Sequence, residues 1–360
     1  MLWPMAAPKL SMSNCKTLLV RLPNPVGDVV MTTPLLQVLR RELPETEIVV
    51  AGHAAYADLL DGVGTFDRYL AFPTAPARAA SVGQAVQKKP GIRAQAQWLR
   101  QANADVILLL PNSWSSALVA RLAGIRTRIG RRAHGRSLLL SHKLPPVGPA
   151  RAMTAIYLEM LAPLGIEVPT GDSAPLAKLV APDEAGESKY IGVAPGAAFG
   201  PSKIYPLDLL SQTVAEVQAH TNLPALLMGS PAETDLLHLA ATEMQQRKVT
   251  VQIAEPGGFA DAKSNIQSCD VLLTMDSGAR HIAAALGVPQ VVLYGPTHPG
   301  WSAHSLENTT ILRRDDVDCL ACHHKTCPID HRCMRWLQPS TVAAAVIQIL
   351  NRGSSHAAQR

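Results

Sequence analysis

Short runs of apolar residues alternate along this chain with longer stretches whose apolar positions recur at helical spacing. The short runs are rich in Val, Leu and Ile and predict buried strands, whereas the longer stretches predict amphipathic helices. The predicted strands are residues 18–22, 47–51, 106–110, 190–194, 225–228, 271–275 and 288–294. Because such alternation is typical of parallel sheets with crossover helices, we predict an α/β fold.

The length of 360 residues exceeds the size at which one hydrophobic core keeps growing, so two domains are expected. Residues 171–188 are rich in Pro, Gly, Ala, Asp and Ser and have no sustained period, which predicts a linker. It would separate an N-terminal domain, residues 17–170, from a C-terminal domain, residues 189–338. Residues 1–16 carry no such pattern and predict a disordered extension.

The amino-acid composition indicates the class of protein. Charged residues make up 17% and apolar residues 47% of the chain, which is a globular balance. Aromatic residues make up only 4%, which argues against a base-stacking surface for nucleic acid. No apolar run reaches the roughly 18 residues that a bilayer span requires, and residues 1–16 lack the apolar core of a secretory signal. We therefore expect a soluble, cytoplasmic protein.

Polar residues at strand ends carry the candidate chemistry, because ligands of open α/β sheets bind beyond the carboxyl ends of the strands. The first candidate is Asp28 in Asn24-Pro-Val-Gly-Asp28, between a predicted strand and a predicted helix over residues 29–43. An aspartate at this position is either a helix N-cap or a general base that points towards a ligand.

The second candidate is Thr274-Met-Asp-Ser-Gly-Ala-Arg-His281, which follows a predicted strand and opens a predicted helix over residues 279–286. Asp276 or Ser277 can cap this helix, and the backbone amides of Ser277 and Gly278 then face the space beyond the strand. Amides at a positive helix end suit a diphosphate. The alternative is a plain capped helix with His281 on the surface.

Two further loops follow strands of the C-terminal half. Gly196-Ala-Ala-Phe-Gly-Pro-Ser-Lys203 lacks the spacing of a P-loop, and the chain contains no G-x-G-x-x-G fingerprint. Lys203 is suited to neutralising a departing phosphate, or else it is a solvated surface lysine. Glu233 follows the next strand and can accept hydrogen bonds from ribose hydroxyls.

Basic residues concentrate between Asp105 and Glu159, an interval with no acidic residue. Among them Arg128, Arg131 and Arg132 predict a surface for phosphates or anionic lipid, with a solvated face as the alternative.

Four cysteines cluster near the C-terminus, at Cys319, Cys322, Cys327 and Cys333. Together with nearby histidines they are numerous enough to hold tetrahedral zinc, but their spacing matches no common zinc module. We expect reduced thiols and no metal, and a structural metal site stays the alternative.

Taken in order, these stretches resemble the ADP-heptose:lipopolysaccharide heptosyltransferases over nearly the whole chain. Residues 20–28 look like the opening strand and catalytic aspartate of that family, and residues 196–206 look like its phosphate-contacting lysine loop. Residues 229–233 are similar to its nucleoside segment, and Asp276-Ser-Gly-Ala-Arg-His281 to its Asp-Ser/Thr-Gly-x-x-His signature. The cysteine-rich segment is similar to that of the heptosyltransferase II branch. Arg280 beside His281 is a departure from the family pattern.

The resemblance implies a GT-B fold, in which two Rossmann-like domains with parallel sheets face a central cleft and a C-terminal helix, residues 339–351, packs back on the N-terminal domain. It implies an inverting, metal-independent transfer of heptose from ADP-heptose to the lipopolysaccharide inner core, with Asp28 as general base, Lys203 beside the diphosphate and no cofactor. Gly196, Glu233, Asp276, Ser277, Gly278 and His281 would complete the donor site. The implied location is cytoplasmic, with peripheral contact to the anionic inner membrane.

Two other classes share this architecture. A nucleotide-sugar epimerase would need further acid and base residues, which the motifs do not supply. A non-catalytic sugar-nucleotide binding protein would have no use for a base such as Asp28 in the opposite domain.

Overall fold

The computed structural model describes residues 10–72, 90–182 and 190–357. The chain divides into two units, the first ending at Ala177 and the second beginning at Lys178, so that the division falls within the predicted linker, residues 171–188. Each unit contains one six-stranded sheet in which every pair of neighbouring strands is parallel. This is the predicted α/β class.

The sheet of the first unit has the strand order β3-β2-β1-β4-β5-β6. Its strands are β1 (Thr17–Arg21), β2 (Glu47–His53), β3 (Arg68–Phe72), β4 (Val106–Leu109), β5 (Thr127–Arg131) and β6 (His142–Leu144). Described helices of this unit are α1 (Val26–Val30), α2 (Thr33–Glu42), α3 (Tyr56–Leu60), α4 (Ile92–Arg100), α5 (Trp114–Leu122) and α6 (Met153–Leu158). The direction of winding reverses between β1 and β4, so the loop after β1 lies at the switch point where such sheets bind ligands.

The sheet of the second unit has the order β12-β11-β10-β7-β8-β9. Its strands are β7 (Tyr190–Ala194), β8 (Ala225–Leu227), β9 (Val251–Ile253), β10 (Cys269–Met275), β11 (Gln290–Tyr294) and β12 (Thr309–Arg313). The described helices are α7 (Leu207–Thr221), α8 (Thr234–Gln246), α9 (Phe259–Gln267), α10 (Gly278–Leu286), α11 (Arg332–Arg335) and α12 (Pro339–Ala357). Here the reversal lies between β7 and β10, so the loops after these two strands are neighbours.

All seven predicted strands are present, and sequence patterning missed five others, namely β3, β5, β6, β9 and β12. The missed strands lie at or next to the sheet edges, where fewer neighbours cover them and polar residues are tolerated. β9, for example, reads Val-Gln-Ile, and none of its residues is fully buried. An edge strand of this kind has too few apolar positions to give a pattern.

The predicted helix over residues 29–43 is two helices, α1 and α2. The hydroxyl of Thr32 donates to the carbonyl of Val29 at 2.6 Å, and that of Thr33 donates to the carbonyl of Val30 at 2.9 Å. Pro34 follows and has no backbone N–H. These groups end α1 after Val30, because side-chain hydroxyls compete for its carbonyls.

The predicted disordered extension differs from the structure where the two can be compared. Residues 1–9 lie outside the described residues, whereas residues 10–16 are held by the first unit. Leu10 N donates to the carbonyl of Pro163 at 2.9 Å, residues Met12–Asn14 form a 3₁₀ turn, and Glu47 N donates to the carbonyl of Lys16. Backbone hydrogen bonds to distant residues thus order this segment, although it has no apolar pattern of its own.

The C-terminal helix α12 packs on α7, β10 and β11 within the second unit. Its residues Val342, Ala343 and Val346 belong to the hydrophobic core of that unit. The resemblance implies that this helix packs on the N-terminal domain, whereas these buried side chains are used within the second unit. Packing onto the first unit stays a prediction. Across the described residues, none of the helices combines the length and apolarity that crossing a bilayer requires.

Candidate active site

Asp28 lies in α1, directly after the loop that follows the central strand β1. The N-cap position of α1 is Pro25, and no side chain caps the helix, so Asp28 does not serve as an N-cap. Tyr56 fixes the preceding loop because its hydroxyl donates to the carbonyl of Asn24. The carboxylate of Asp28 receives no hydrogen bond or ion pair from any side chain in the part of the chain that is described.

The surroundings of Asp28 change its acidity. Burial raises the pKa of Asp28 from 3.8 to about 6, since removal from water disfavours the charged form. Burial first, and then the charge of Asp28, raises the pKa of Tyr56 to about 12 and that of Tyr157 well above its ordinary value. A carboxylate with a pKa near the working pH and no fixed partner has the properties of a general base.

Lys203 and Asp276 form a buried ion pair in the second unit. The ammonium of Lys203 lies 2.6 Å from Oδ2 of Asp276 and 2.6 Å from the Asp276 carbonyl oxygen. Lys203 is 8% exposed, which rules out a solvated surface lysine. The two residues stand 73 positions apart and meet because β7 and β10, whose loops carry them, are adjacent strands.

Asp276 has two further partners in the loop after β11. The hydroxyl of Thr297 donates to Oδ2 at 2.7 Å, and that of Ser302 donates to Oδ1 at 3.3 Å. Burial by itself would raise the pKa of Asp276, but the charge and hydrogen bond of Lys203, the hydroxyl of Thr297 and the charge of Arg280 hold that pKa below its ordinary value. Asp276 is therefore ionised and its geometry is fixed.

The N-terminus of α10 carries free backbone amides beside this pair. Ser277 occupies the N-cap position but its side chain makes no capping hydrogen bond, and Gly278 begins the helix. The hydroxyl of Ser277 lies 3.4 Å from that of Thr274. Because neither Ser277 nor Asp276 caps the helix, its first-turn amides stay available to an anion, and the Lys203 ammonium is bound one residue away.

His281 is buried one turn into α10, so it is not the surface histidine of the alternative reading. Its Nδ1 lies 2.9 Å from Nε2 of His304 and 3.1 Å from Nη1 of Arg280. Arg280 and His304 are also buried. Sequence reasoning missed His304, Thr297 and Ser302, whose polar positions after β11 form no motif, and it marked Arg280 only as a departure.

Glu233 and Gly196 lie against each other. Oε2 of Glu233 accepts hydrogen bonds from the backbone amide of Ser230 at 2.8 Å and from its hydroxyl at 2.7 Å, an arrangement that closes a capping box. A Cβ added at Gly196 would overlap Oε1 of Glu233, so any larger residue here would force the Glu233 side chain to move. The two predicted donor residues are thus brought together at the ends of β7 and β8.

The three arginines predicted as an anionic-ligand surface have different environments. Arg131 is buried, forms an ion pair with Glu159 and donates to the carbonyl of Ile156 at 2.7 Å. The guanidinium of Arg128 donates to the carbonyls of Leu139, Ile125 and Arg126. Only Arg132 is exposed. The prediction is therefore wrong for Arg131, whose charge is already compensated by a carboxylate that lies 28 residues away in sequence.

The cysteine-rich segment contacts the lysine loop. Lys325 and His324 provide carbonyl oxygens that accept from the backbone amide of Ser202 at 3.1 Å and from its hydroxyl at 2.6 Å. Nε2 of His331 donates to the carbonyl of Ser202 at 2.7 Å. A Cβ added at Gly200 would collide with the carbonyl of Lys325. Ser202, the residue before Lys203, is thus bound by three residues of the cysteine-rich segment.

The cysteines of this segment are free thiols. Among the described residues, no group of three or more His, Cys, Asp or Glu side chains is arranged to hold a metal ion. The pKa of the Cys333 thiol is raised to about 11, first by burial and then by the neighbouring thiols Cys319, Cys327 and Cys322. A thiol with so high a pKa is unreactive at neutral pH. The expected absence of metal stays a prediction.

Comparisons with known proteins give one family. The family described as Glycosyltransferase family 9 (heptosyltransferase) matches residues 92–332, more than half of the chain. Lipooligosaccharide heptosyltransferase 2 of Haemophilus ducreyi is 28% identical over 316 residues, which are 82% of this chain and 87% of the relative. Lipopolysaccharide heptosyltransferase 2 of Escherichia coli K12 is 28% identical over 312 residues, which are 81% and 86% of the two chains. The solved structure of the E. coli ADP-heptose lps heptosyltransferase II has a TM-score of 0.74 and 23% identity, and the match covers 94% of this chain and 99% of that one.

Proposed function

The chain belongs to glycosyltransferase family 9, the heptosyltransferase family, and from this premise we propose that it transfers a heptose from ADP-heptose to the inner core of lipopolysaccharide with inversion at the anomeric carbon. Support for the donor and the acceptor comes from the names of the relatives, which are lipooligosaccharide and lipopolysaccharide heptosyltransferases. The fold shared with the E. coli ADP-heptose lps heptosyltransferase II agrees with this reading.

The observation that carries the mechanism is the acidity of Asp28. With a pKa of about 6 the carboxylate is ionised at neutral pH and basic enough to accept a proton from an acceptor hydroxyl. The acceptor oxygen then attacks the anomeric carbon from the face opposite the nucleotide, and one displacement inverts the configuration. A nucleoside diphosphate leaves without a general acid, so the reaction needs one carboxylate where glycosidases need two.

The second unit supplies charge for the leaving diphosphate. Lys203 and the free amides of Ser277 and Gly278 all attract an anion, and they lie in the loops after β7 and β10, beside the switch point. An ammonium and helix amides can carry the countercharge that other transferases take from a metal, so we propose a metal-independent reaction.

We propose a role for Asp276 that differs from direct contact with the donor sugar. Its carboxylate already accepts hydrogen bonds from Lys203, Thr297 and Ser302, which leaves little capacity to orient donor hydroxyls. We assign Asp276 the role of holding Lys203 in place. We propose that Glu233 keeps Oε1 for a nucleoside hydroxyl, because both hydrogen bonds that its carboxylate accepts from described residues are made by Oε2.

For the acceptor we propose contact with an anionic membrane surface through exposed basic residues of the first unit. Arg121, Arg126, Arg132 and Lys143 are exposed there, and Glu159, the first acidic residue that follows them in the sequence, pairs with Arg131 and Arg151. The proposed acceptor, the lipopolysaccharide inner core, is anionic, so charge complementarity supports the match. We propose that the reaction takes place at the cytoplasmic face of the inner membrane.

The test is ADP release from ADP-heptose, with and without a truncated lipopolysaccharide acceptor, in metal-free buffer containing a chelator. We expect release that requires the acceptor and a product enlarged by one heptose in mass spectrometry. A nucleotide-sugar epimerase would instead convert the donor without an acceptor, and a binding protein would release nothing. Loss of activity in chelator would contradict the metal-independent mechanism.

A further inference from the structure

A buried cation without an acidic partner lies next to the donor site. Arg280 is fully buried, and the described residues offer it no carboxylate at ion-pair distance. Its Nη2 donates to the carbonyl of Ser302 at 2.6 Å, and its Nη1 lies 3.1 Å from Nδ1 of His281 and 3.2 Å from Nε2 of His304. A buried charge is costly unless its hydrogen bonds are well made, so these contacts have a structural or functional reason.

The two imidazole rings beside Arg280 are stacked and joined by one hydrogen bond. Their centroids are 5.2 Å apart with planes 10° from parallel, and Nδ1 of His281 lies 2.9 Å from Nε2 of His304. Burial first, and then the charge of Arg280, lowers the pKa of His304 to about 3 and that of His281 well below its ordinary value. Both rings are therefore neutral at neutral pH, and a single proton lies between these two nitrogens.

The position of that proton decides whether the other ring nitrogen of His281, Nε2, carries a proton or a lone pair. A guanidinium can only donate, so of the two ring nitrogens that Nη1 meets, at 3.1 Å and 3.2 Å, one accepts and the other carries the shared proton. In one of these two arrangements Nδ1 of His281 is the acceptor. Nε2 of His304 then carries the shared proton and donates to the same atom. His304 Nδ1 is left as an acceptor for the hydroxyl of Ser305 at 3.3 Å. Under this assignment Nε2 of His281 bears a proton, and no described residue accepts it.

We propose that Arg280 and His304 are positioning residues that hold His281 as the neutral tautomer with a proton on Nε2, so that this N–H donates to the diphosphate of the nucleotide sugar. The opposite tautomer would present a lone pair, which repels a phosphate oxygen. The diphosphate part of this inference rests on the proposed donor site of the second unit.

Ser302 connects this group with the ion pair of the lysine loop. Its carbonyl accepts from Arg280, and its hydroxyl donates to Asp276, the partner of Lys203. The hydroxyl of Tyr294 lies 2.7 Å from that of Ser302. One serine therefore fixes Arg280 and Asp276 relative to each other. In this way the orientation of the His281 ring is tied to the position of the Lys203 ammonium.

The tautomer is measured directly by nitrogen-15 NMR of the full chain labelled at histidine, with the His281 signals assigned through a His281→Gln variant. We expect Nε2 of His281 to show the chemical shift of a protonated nitrogen and Nδ1 that of an unprotonated one. His304→Ala should allow exchange between tautomers, whereas His304→Gln, whose amide can donate to Nδ1, should preserve the wild-type pattern. His238→Gln, at an exposed histidine of α8, is the matched control.

The link to the ligand is tested with ADP, AMP and adenosine as separate probes. We expect ADP to shift the Nε2 signal of His281 more than adenosine does, and His304→Ala to weaken ADP binding about tenfold, with His304→Gln near wild type. A protonated Nδ1 on His281 in the wild-type protein would overturn the inference without affecting the proposed function, which is decided by ADP release. An Nε2 signal indifferent to ADP in a protein that releases ADP would overturn the diphosphate contact.

Discussion

Two aspartates that follow central strands have opposite pKa shifts because their neighbours differ. Asp28 is removed from water and receives no donor among the described side chains, so its pKa rises. Asp276 is also removed from water, but Lys203, Thr297 and the charge of Arg280 more than compensate, so its pKa falls. The same residue type thus fits two chemical roles, the proposed base in the first unit and an anchor for a cation in the second.

Replacement of Asp28 by Asn should abolish transfer and leave ADP affinity near the wild-type value, because the base acts on the acceptor. The wild-type rate should rise with pH through about 6 as the carboxylate ionises.

Asp28 should also make the stability of the protein depend on pH. Its pKa is higher in the folded state than the ordinary 3.8, so protonation of Asp28 favours folding. This stabilisation is fully present below pH 3.8 and is lost as the pH rises through about 6. Asp28→Asn should therefore be more stable than wild type at pH 7.5 by about 3 kcal/mol, a gain that shrinks towards pH 4.

These four outcomes are measured by steady-state kinetics from pH 5 to 8, ADP titration calorimetry and urea denaturation at two pH values. Glu45→Gln, at an exposed carboxylate of the first unit, is the control for removal of one negative charge. An Asp28→Asn variant that keeps substantial turnover would remove Asp28 from the mechanism.

A double-mutant cycle separates two roles of Lys203. Lys203→Met should weaken ADP binding by at least tenfold, since it removes a charged contact and leaves the Asp276 carboxylate buried without its cation. If the lysine contacts the diphosphate, adding Asp276→Asn should not restore ADP affinity, although it should restore stability because the unpaired buried charge is gone. Calorimetry and thermal unfolding measure the two quantities. Recovery of affinity in the double variant would limit Lys203 to a structural role.

At the scale of elements, the function depends on loops that are held by distant segments. The loop between β7 and α7 carries Lys203, and the stretch around residues 324–331 binds Ser202 through three hydrogen bonds, two to its backbone and one to its hydroxyl. The hydroxyl of Tyr205 donates to the carbonyl of Leu337 at 2.6 Å and adds a fourth. The cysteine-rich segment is therefore part of the support of the donor site and is not a separate appendage.

Loss of one of these bonds should affect donor binding. His331→Asn removes the donor to Ser202 and keeps a side chain that tolerates the left-handed backbone, φ 60°, at this position. We expect a loss of ADP affinity of roughly threefold to tenfold, matching the net value of one hydrogen bond of about 1 kcal/mol. His324→Asn is the matched control, because its side chain is exposed and only its carbonyl is used. Equal effects of the two substitutions would contradict this role of His331.

Two consecutive arginines at the end of β5 differ in burial: Arg131 is buried and Arg132 is exposed. Arg131→Ser should cost roughly 3 kcal/mol of stability, because it leaves Glu159 and the carbonyl of Ile156 without their buried partner. Arg132→Ser should leave stability unchanged, raise the Michaelis constant for the lipopolysaccharide acceptor and flatten its dependence on salt. Chemical denaturation and acceptor kinetics at several salt concentrations test both. An unchanged salt profile in Arg132→Ser would make this arginine part of a solvated face.

At the scale of the whole molecule, the chain contains two sheets with the same winding order, and each has its candidate residues at the switch point. The proposed donor residues all lie in the second unit, and the proposed base lies in the first. ADP should therefore slow amide hydrogen exchange in residues 196–203 and 276–281, with adenosine as the control for nucleoside binding alone. Residues 24–30 should show no change with ADP, because their proposed ligand is the acceptor. Protection of residues 24–30 alone would contradict the assignment of the two sites.

The sequence by itself predicted the central strands of both sheets, the α/β class and most of the candidate residues. These features depend on local information, since a buried parallel strand reads as an apolar run and the residues after it are its nearest neighbours in sequence. Asp28, Lys203, Asp276 and His281 could be identified for this reason. The edge strands were missed because partial exposure removes the apolar pattern.

Only the tertiary structure decided how these residues are paired. The adjacency of β7 and β10 brings Lys203 to Asp276, and the loop after β11 brings His304 to His281 and Arg280. The burial of Arg131 against Glu159 likewise depends on packing between elements. Such contacts join residues far apart along the chain, and strand order and side-chain packing, which no local pattern encodes, determine whether a charge is paired, exposed or available for catalysis.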